Sequence, residues 1–543
     1  MSTKKMPSAG EVAEVRDSWI PMIVIAMGQA LMSFNVAAIP VSMGGMVKDF
    51  NTPPTTVGTA VVFYSLGVSG FIMLGAKLGQ RFGAKIFFQA AVGLFLAAMV
   101  TMVLSPTAEI MLAAQGLAGF AGAALVPTLV VLIANHYSGK QQAEAVGWLG
   151  SARAIAGVLA FVIVGSVATF LSWRYAFGLL IIHAAAILLL SFKLKPSAAR
   201  TDVKIDILGV ILSAIAIICI TFGFNNLRNW GVLLARPAAP FDVLGVSPAI
   251  LMIVVGIVIG GGFFIWTRRQ AEVGNTPLLA LNVVESPREW AAVVALFLVV
   301  AVEGAINFSV PLYIQIVQGQ SGLMTSVAMM PFMLTVFFTA ILIVRLYGLY
   351  SPRTIARGAF VLVAIGTAWL AFTVSNDWST IPVILGLITV GLGQGALVTL
   401  LFNVLVTAAP KENAGDVGSL RGVTQNLAAA VGTSLVGTML VGLLSSMIIA
   451  GSVSNPVITA ELKDEVNLTN LNFFSDSQLK ERLASTSATP AQLDEALSIN
   501  ADARSRSLKI GFLLLSGLAL LALVPCSWLP DYKAGEIPGD KSK

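Results

Sequence analysis

Charged side chains are scarce in this 543-residue chain. Asp, Glu, Lys and Arg together make up 11% of it, against about 25% in ordinary soluble proteins. The apolar group of Ala, Val, Ile, Leu, Met, Phe, Trp, Tyr and Cys makes up 57%. So few polar residues cannot cover the surface of a water-soluble globule. The composition therefore excludes a string of soluble domains and indicates that lipid is the solvent of most of the chain.

Cysteine and histidine are also rare, with two residues of each type. Cys219 and Cys526 both lie inside apolar runs, which excludes a disulfide framework and a thiolate metal site. The sequence has no P-loop, no H-E-x-x-H motif and no nucleophile elbow. We therefore expect no metal, no cofactor and no enzymatic activity. The net charge of +6 does not indicate nucleic-acid binding, because the basic residues lie in short loops.

Fourteen apolar runs approach or exceed the roughly 20 residues that a membrane-spanning helix needs. They cover 19–44, 54–76, 86–105, 108–135, 143–171, 175–193, 206–225, 247–267, 290–316, 324–346, 357–375, 380–407, 417–450 and 508–529. Polar linkers divide these runs into groups of six, two and six. The sequence thus predicts an all-α membrane protein with 14 transmembrane helices. Two pseudo-symmetric six-helix bundles (19–193 and 290–529) should flank a linker segment, 194–289, that holds two extra transmembrane helices.

The positions of Lys and Arg predict the orientation in the membrane. Most of the 33 basic residues lie in alternate loops and in the two tails, 1–18 and 530–543. Because cytoplasmic loops carry the excess of Lys and Arg, both termini should be cytoplasmic. The polar stretch 451–507 should then lie outside. Helix-start patterns at Ser475 and at Thr489-Pro490 predict two short helices within this outside loop.

Five stretches resemble motifs of the major facilitator superfamily, in its fourteen-helix branch of drug:proton antiporters. The loop after the second span carries the motif residues Gly75, Arg81 and Gly83, which we expect to form a tight basic turn. The other stretches are 171–177 (LSWRYAF), 310–315 (VPLYIQ), Gly319 with Met330-Pro331, and 391–395 (GLGQG). The resemblance covers nearly the whole chain. It implies transport by alternating access, with spans 1, 2, 4 and 5 facing spans 9, 10, 12 and 13 across a cavity.

Neutral amides stand where this branch keeps charged residues. They are Asn35 in the first span, Gln80 in the loop, Gln115 in the fourth span and Gln425 in the thirteenth. The antiporter motif of the fifth span keeps only the glycines Gly157 and Gly165. These departures weaken the expectation of proton-coupled drug efflux.

Two charged residues stand out inside the predicted spans, Glu303 near the middle of the ninth and Arg153 about a third of the way into the fifth. A charge at the centre of a membrane helix costs at least about 2.5–3.5 kcal/mol, so such residues usually have a function. We expect Glu303 and Arg153 to take part in coupling or gating. Burial disfavours the charged form of a carboxyl, which would allow Glu303 to exchange a proton. The alternatives are a hydrogen bond that merely holds the bundle for Glu303, and snorkelling to the interface for Arg153.

Uncharged polar residues and aromatic rings in the spans are the candidates for substrate binding. Amides both donate and accept hydrogen bonds, and rings stack on flat molecules. The alternative for each residue is that it only holds helices together. The amides are Gln29, Asn35, Gln115, Asn307, Gln315, Gln394, Asn403, Gln425 and Asn426, and the rings are Phe34, Tyr64 and Trp148. As a set they favour a small, neutral, ring-containing organic solute.

Three functions remain open on the sequence. The leading hypothesis is uptake of a metabolite or vitamin, such as a riboflavin-like compound, across a cell inner membrane. The second is efflux of amphipathic drugs in exchange for protons, with Glu303 as the proton carrier. The third is a membrane sensor or scaffold that has kept a transporter fold. The expected partners are the solute, the lipid bilayer and, in the second case, protons, and the protein is expected to be a monomer.

Overall fold

Helices make up nearly all of the structure. The computed structural model describes residues 18–137, 139–196, 199, 204–346, 349–375, 380–408, 414–459, 462, 473–484, 486 and 488–531, except for some side chains such as that of Arg153. The first half of the chain contains α1 (Ile20–Val41), α2 (Met43–Asp49), α3 (Pro54–Phe82), α4 (Ala84–Leu104), α5 (Ala108–His136), α6 (Gly139–Phe170), α7 (Trp173–Ser191), α8 (Ile207–Trp230) and α9 (Pro248–Glu272). The second half contains α10 (Pro287–Pro311), α11 (Gly322–Leu346), α12 (Pro352–Thr373), α13 (Thr380–Ala408), α14 (Ala414–Ser454), α15 (Asp476–Leu483), α16 (Pro490–Leu521) and α17 (Leu523–Cys526).

Thirteen helices in the described part of the chain are long and apolar enough to cross a membrane. These are α1, α3–α5, α7–α14 and α16, so the protein is a multi-pass membrane protein. The helix α6 is equally long, but only residues 155–170 form an apolar helix among its described residues. The predicted all-helical membrane fold is confirmed, while the count of 14 spans stays a prediction.

The long helices alternate in direction, which defines two faces of the molecule. Face A is the side on which α1 begins and α3 ends, and face B is the opposite side. The Tyr137 hydroxyl on face A donates a hydrogen bond to the Ser18 carbonyl oxygen (3.0 Å). On the same face, the Ser351 hydroxyl donates to the Asp531 carboxylate (2.6 Å). Both ends of the described chain therefore lie on face A.

Two helix bundles pack side by side. In the first, α3 packs on α5 and α1 on α6, and in the second α11 packs on α13 and α10 on α14. Small residues bring equivalent helix pairs into backbone contact: a Cβ at Gly67 of α3 would lie 2.8 Å from the Gly116 oxygen of α5, and one at Gly391 of α13 would lie 2.9 Å from the Phe332 oxygen of α11. Close backbone approach is the main way in which helices gain packing energy in lipid. The bundles meet along α3–α14 and α6–α11.

The two extra helices form a hairpin beside the bundles. The helices α8 and α9 pack on one another, and α8 also packs on α3 and α14. Asp206 caps α8 by accepting a hydrogen bond from the Gly209 N–H (2.9 Å), and its carboxylate also accepts one from the Trp266 indole N–H of α9 (3.0 Å). The hairpin thus contacts both bundles through α8.

The segment before the last span differs from its prediction. The predicted helix starts at Ser475 and Thr489 are confirmed, each with a capping box. The prediction of two short helices is wrong for the second one, because the helix that begins at Pro490 continues without a break to Leu521. No glycine or proline follows Pro490 before residue 508 to end the helix.

Candidate functional site: a polar cavity between the bundles

The basic loop lies on face A between α3 and α4. Gly83 has a φ of +88° and makes the turn, and Arg81 is exposed in the last turn of α3. The sequence analysis placed Gly75 in this turn, but the structure does not. Gly75 lies inside α3, where a Cβ would overlap the Ala123 backbone of α5. Gly75 is therefore a helix-packing residue, and only Gly83 reverses the chain.

A cavity of about 280 Å³ lies between the two bundles. Its wall comes from α1, α2, α3, α5 and α6 on one side and from α10, α11 and α14 on the other. The predicted site residues that line it are Gln29, Tyr64, Glu303, Asn307, Gln425 and Asn426. Predicted spans 1, 2, 4 and 5 (α1, α3, α5 and α6) thus face spans 9, 10 and 13 (α10, α11 and α14) across the cavity, as expected. The twelfth predicted span, α13, contributes no described lining residue.

Amide groups and one carboxyl form the polar part of the wall. The Asn307 Oδ1 atom is buried and accepts no hydrogen bond from any described residue. The Gln29 amide donates to the Ser33 hydroxyl (3.3 Å), and the Asn426 amide donates to the Gly422 oxygen of its own helix (2.8 Å). Glu303 is half-buried and is the one acidic or basic residue among the described lining residues. A buried carbonyl oxygen without a donor costs free energy, so a ligand N–H or O–H group at Asn307 would be stabilised.

Apolar side chains form the rest of the wall. Tyr64, Phe161 and Phe308 provide three rings from three different helices, and Met32 and Met333 add flexible thioether side chains. Rings offer a flat apolar contact, and methionine adapts its shape to different ligands. The combination suits an amphipathic organic molecule with hydrogen-bonding groups at one side.

Hydrogen bonds close the space between the bundles toward face B. Gln315 follows α10, and its side-chain oxygen accepts from the Gly44 N–H (2.6 Å) while its amide donates to the Pro40 oxygen (2.8 Å). Nearby, the Leu323 N–H donates to the Thr169 hydroxyl (3.0 Å). Gln315 therefore ties the end of α1 to the other bundle, and it does not line the cavity as the sequence analysis had expected.

At this contact the Ser326 side chain of α11 packs directly against Gly165 of α6, which has no side chain of its own. A Cβ at Gly165 would overlap the Ser326 side chain and would lie 3.2 Å from the Gly322 oxygen. The two glycines of the fifth predicted span therefore lie in different environments. Gly157 lines the cavity, and Gly165 lies at the contact between the bundles.

Several other predicted site residues lie outside the cavity. Asn35 of α1 and Gln115 of α5 are fully buried and bond reciprocally: the Asn35 amide donates to Gln115 Oε1 (2.9 Å) and the Gln115 amide to Asn35 Oδ1 (3.2 Å). Each amide satisfies the other, so the pair holds two helices together. Phe34 packs against the apolar core instead of lining the cavity.

The two α13 amides and Trp148 also lie elsewhere. Gln394 is buried and Asn403 half-buried, and neither lines the cavity, because α13 packs behind α10 and α11. Trp148 is 57% exposed and lines an apolar groove with Trp19 on the outer surface of α1 and α6. An indole suits such a position because it tolerates both lipid and the polar interface. The Arg153 side chain is outside the described residues, so its predicted role has no structural counterpart here.

Sequence reasoning missed part of the wall. Ser33 and Phe308 line the cavity, and Ser33 stands four residues after Gln29, which was selected. Residues four apart share a helix face, so this spacing was the available signal. Arg421 was also missed: its guanidinium lies 4.0 Å from the centre of the Phe402 ring, between α14 and α13.

Comparison with known proteins agrees with this geometry. The Major Facilitator Superfamily profile matches residues 25–433. The probable actinorhodin transporter of Streptomyces coelicolor is 26% identical over 79% of this chain and 73% of its own length. The multidrug efflux pump LfrA of Mycolicibacterium smegmatis is 22% identical over 78% of this chain and 81% of its own. The inward-facing, unoccupied structure of a bacterial homologue of the lysosomal transporter Spinster superposes with a TM-score of 0.58, at 15% identity over 93% of this chain and 96% of that one. The chain therefore belongs to the major facilitator superfamily.

Proposed function

We propose that this protein exports amphipathic organic compounds, antibiotics among them, across the plasma membrane in exchange for protons. The observation that carries the proposal is the cavity between the bundles, in which amides, three rings and the single carboxyl of Glu303 converge. The printed names of the sequence relatives, an antibiotic transporter and a multidrug efflux pump, support export. Nothing in the comparisons supports the vitamin uptake that the sequence had favoured, and export replaces it as our proposal.

Glu303 is the proposed site of proton exchange. It is the only carboxyl among the described residues that line the cavity, and a carboxyl is the group there that can bind and release a proton. Proton binding and substrate binding would then alternate at one site, which couples the proton gradient to export.

The orientation is part of the proposal. Face A is assigned to the cytoplasm because most Lys and Arg residues belong to its loops and to the tails 1–18 and 530–543. The segment 451–507 would then lie outside, the bundles would span 19–193 and 290–529, and the functional unit would be a monomer. The Gln315 contact on face B would make this an inward-facing conformation.

The test uses purified protein in liposomes with an imposed pH gradient and ethidium, doxorubicin and tetraphenylphosphonium as probes. We expect the gradient to drive accumulation of at least one probe, and Glu303→Gln to abolish that accumulation. Glu285→Gln is the matched control, because Glu285 is exposed in the loop before α10. Accumulation that survives Glu303→Gln would remove this residue from coupling, and no movement of any probe would overturn the export proposal.

A further inference from the structure

A second, smaller pocket of about 120 Å³ lies on the face B side of the cavity, between α3, α8 and α14. Its wall is rich in hydroxyl and amide groups and contains no charged residue among those described. The polar lining residues are Thr55, Thr56, Thr59, Asn225, Asn229, Thr433, Ser434 and Thr438. Such a wall offers neutral donors and acceptors only.

Asn225 brings the extra helix α8 into this pocket. Its side-chain oxygen accepts hydrogen bonds from the Thr59 hydroxyl of α3 (3.3 Å) and from the Ser434 hydroxyl of α14 (3.5 Å). One amide thus joins both bundles, and its own N–H groups donate to no acceptor in the described part of the chain. These N–H groups are available to a ligand oxygen.

The ring of Phe308 separates the pocket from the central cavity. Gly58, Phe308 and Thr433 line both spaces. The ring is 3% exposed and lies in a slot between two glycines: a Cβ at Gly58 would be 2.6 Å from the ring, and one at Gly437 would be 3.8 Å from it. Because glycine leaves the slot free of side chains, a change in the ring's position would join the two spaces.

We infer that this polar pocket is a second substrate subsite, which binds a neutral hydrogen-bonding group such as a glycosyl or polyhydroxyl substituent. The central cavity binds the flat apolar body of the same molecule, and Phe308 packs between the two parts. The inference rests on the proposed export function and names a substrate class for it. It also gives the α8–α9 hairpin a role in specificity through Asn225.

The test compares two probes that share one ring system. They are 4-methylumbelliferyl β-D-glucoside, which carries a neutral sugar, and 7-methoxy-4-methylcoumarin, which lacks it. Dissociation constants are measured by fluorescence titration of the purified full-length protein. We expect the glucoside to bind at least about tenfold more tightly, the effect of one or two net hydrogen bonds. Asn225→Ala should reduce this preference to less than about threefold.

Asn226→Ala is the matched control. Asn226 is the next residue of α8, but its amide donates to the Phe222 oxygen of the same helix (2.9 Å) and it does not line the pocket. This variant should keep the preference for the glucoside. Ser434→Ala replaces Asn225→Ala if the latter does not fold, and it should also reduce the preference.

Two results would overturn the subsite. The first is that the glucoside binds no more tightly than the coumarin, or that neither probe binds. The other is a preference that both the Asn225 and the Ser434 variants retain. The gradient assay on wild-type protein is independent of these results: export of ethidium without a glucoside preference leaves the proposed function standing and removes only the subsite.

Discussion

Replacement of Gly67 by alanine tests whether backbone contact between α3 and α5 holds the first bundle together. A Cβ at Gly67 would lie 2.8 Å from three backbone atoms of α5, at Gly116, Gly119 and Phe120. Backbone atoms cannot rotate away, so the two helices must separate by several tenths of an ångström. Overpacking of this kind costs about 1–3 kcal/mol.

Gly70→Ala provides a control on the same buried helix. A Cβ at Gly70 meets no atom within 4 Å. Each substitution gains about 1 kcal/mol of helix propensity over glycine, and this gain cancels when the variants are compared. The free energy of unfolding, measured by SDS titration in mixed micelles, should therefore be about 1–3 kcal/mol lower for Gly67→Ala than for Gly70→Ala. Equal values for the two variants would refute the argument that this helix pair depends on backbone contact.

Three further substitutions test other contacts. Gln315→Ala removes two bonds that close face B, so a cysteine in the cavity wall should react about tenfold more with an impermeant thiol reagent added from that face; unchanged labelling would contradict the closure. Asp476→Asn should lower the free energy of unfolding by about 3 kcal/mol, because it leaves the Arg504 guanidinium, which is 3% exposed, without its carboxylate. Arg504→Met should lower it less, because the Asp476 carboxylate that then lacks a partner is 58% exposed. Asn35→Leu alone should cost about 1–3 kcal/mol by leaving the Gln115 amide unpaired, and adding Gln115→Leu should recover part of that loss; additive losses would show that the two amides are not coupled.

The helices could be predicted from the sequence because lipid imposes a simple requirement. Every backbone polar group in the membrane must bond within its own helix, so an apolar run of sufficient length becomes a helix regardless of its neighbours. The starts at Ser475 and Thr489 were also predictable, since capping boxes are local. The end of the helix that begins at Pro490 was not, because a polar helix outside the membrane and an apolar one inside it join without a break.

The candidate site could be predicted only in part, because polarity in a span does not identify the partner. Asn35 and Gln29 lie on the same helix and were equally good candidates. Asn35 faces α5 and bonds with Gln115, whereas Gln29 faces the cavity. The rotation of α1 about its own axis decides which of its faces meets the cavity. This rotation is set by packing against neighbouring helices, and the local sequence does not encode it. For the same reason the pocket beside Asn225 had no counterpart in the sequence analysis.

The glycine contact between α6 and α11 bears on how fast the two halves can part. Interlocked side chains must change rotamers before two surfaces separate, and each such change adds to the activation barrier. At Gly165 only the small Ser326 side chain of α11 packs against α6, and the hydrogen bond beside it is the one from the Leu323 N–H to the Thr169 hydroxyl. Few side chains therefore need to change rotamer when α6 and α11 separate. The rate of turnover should depend more on the molecule that occupies the cavity than on the separation of these two helices.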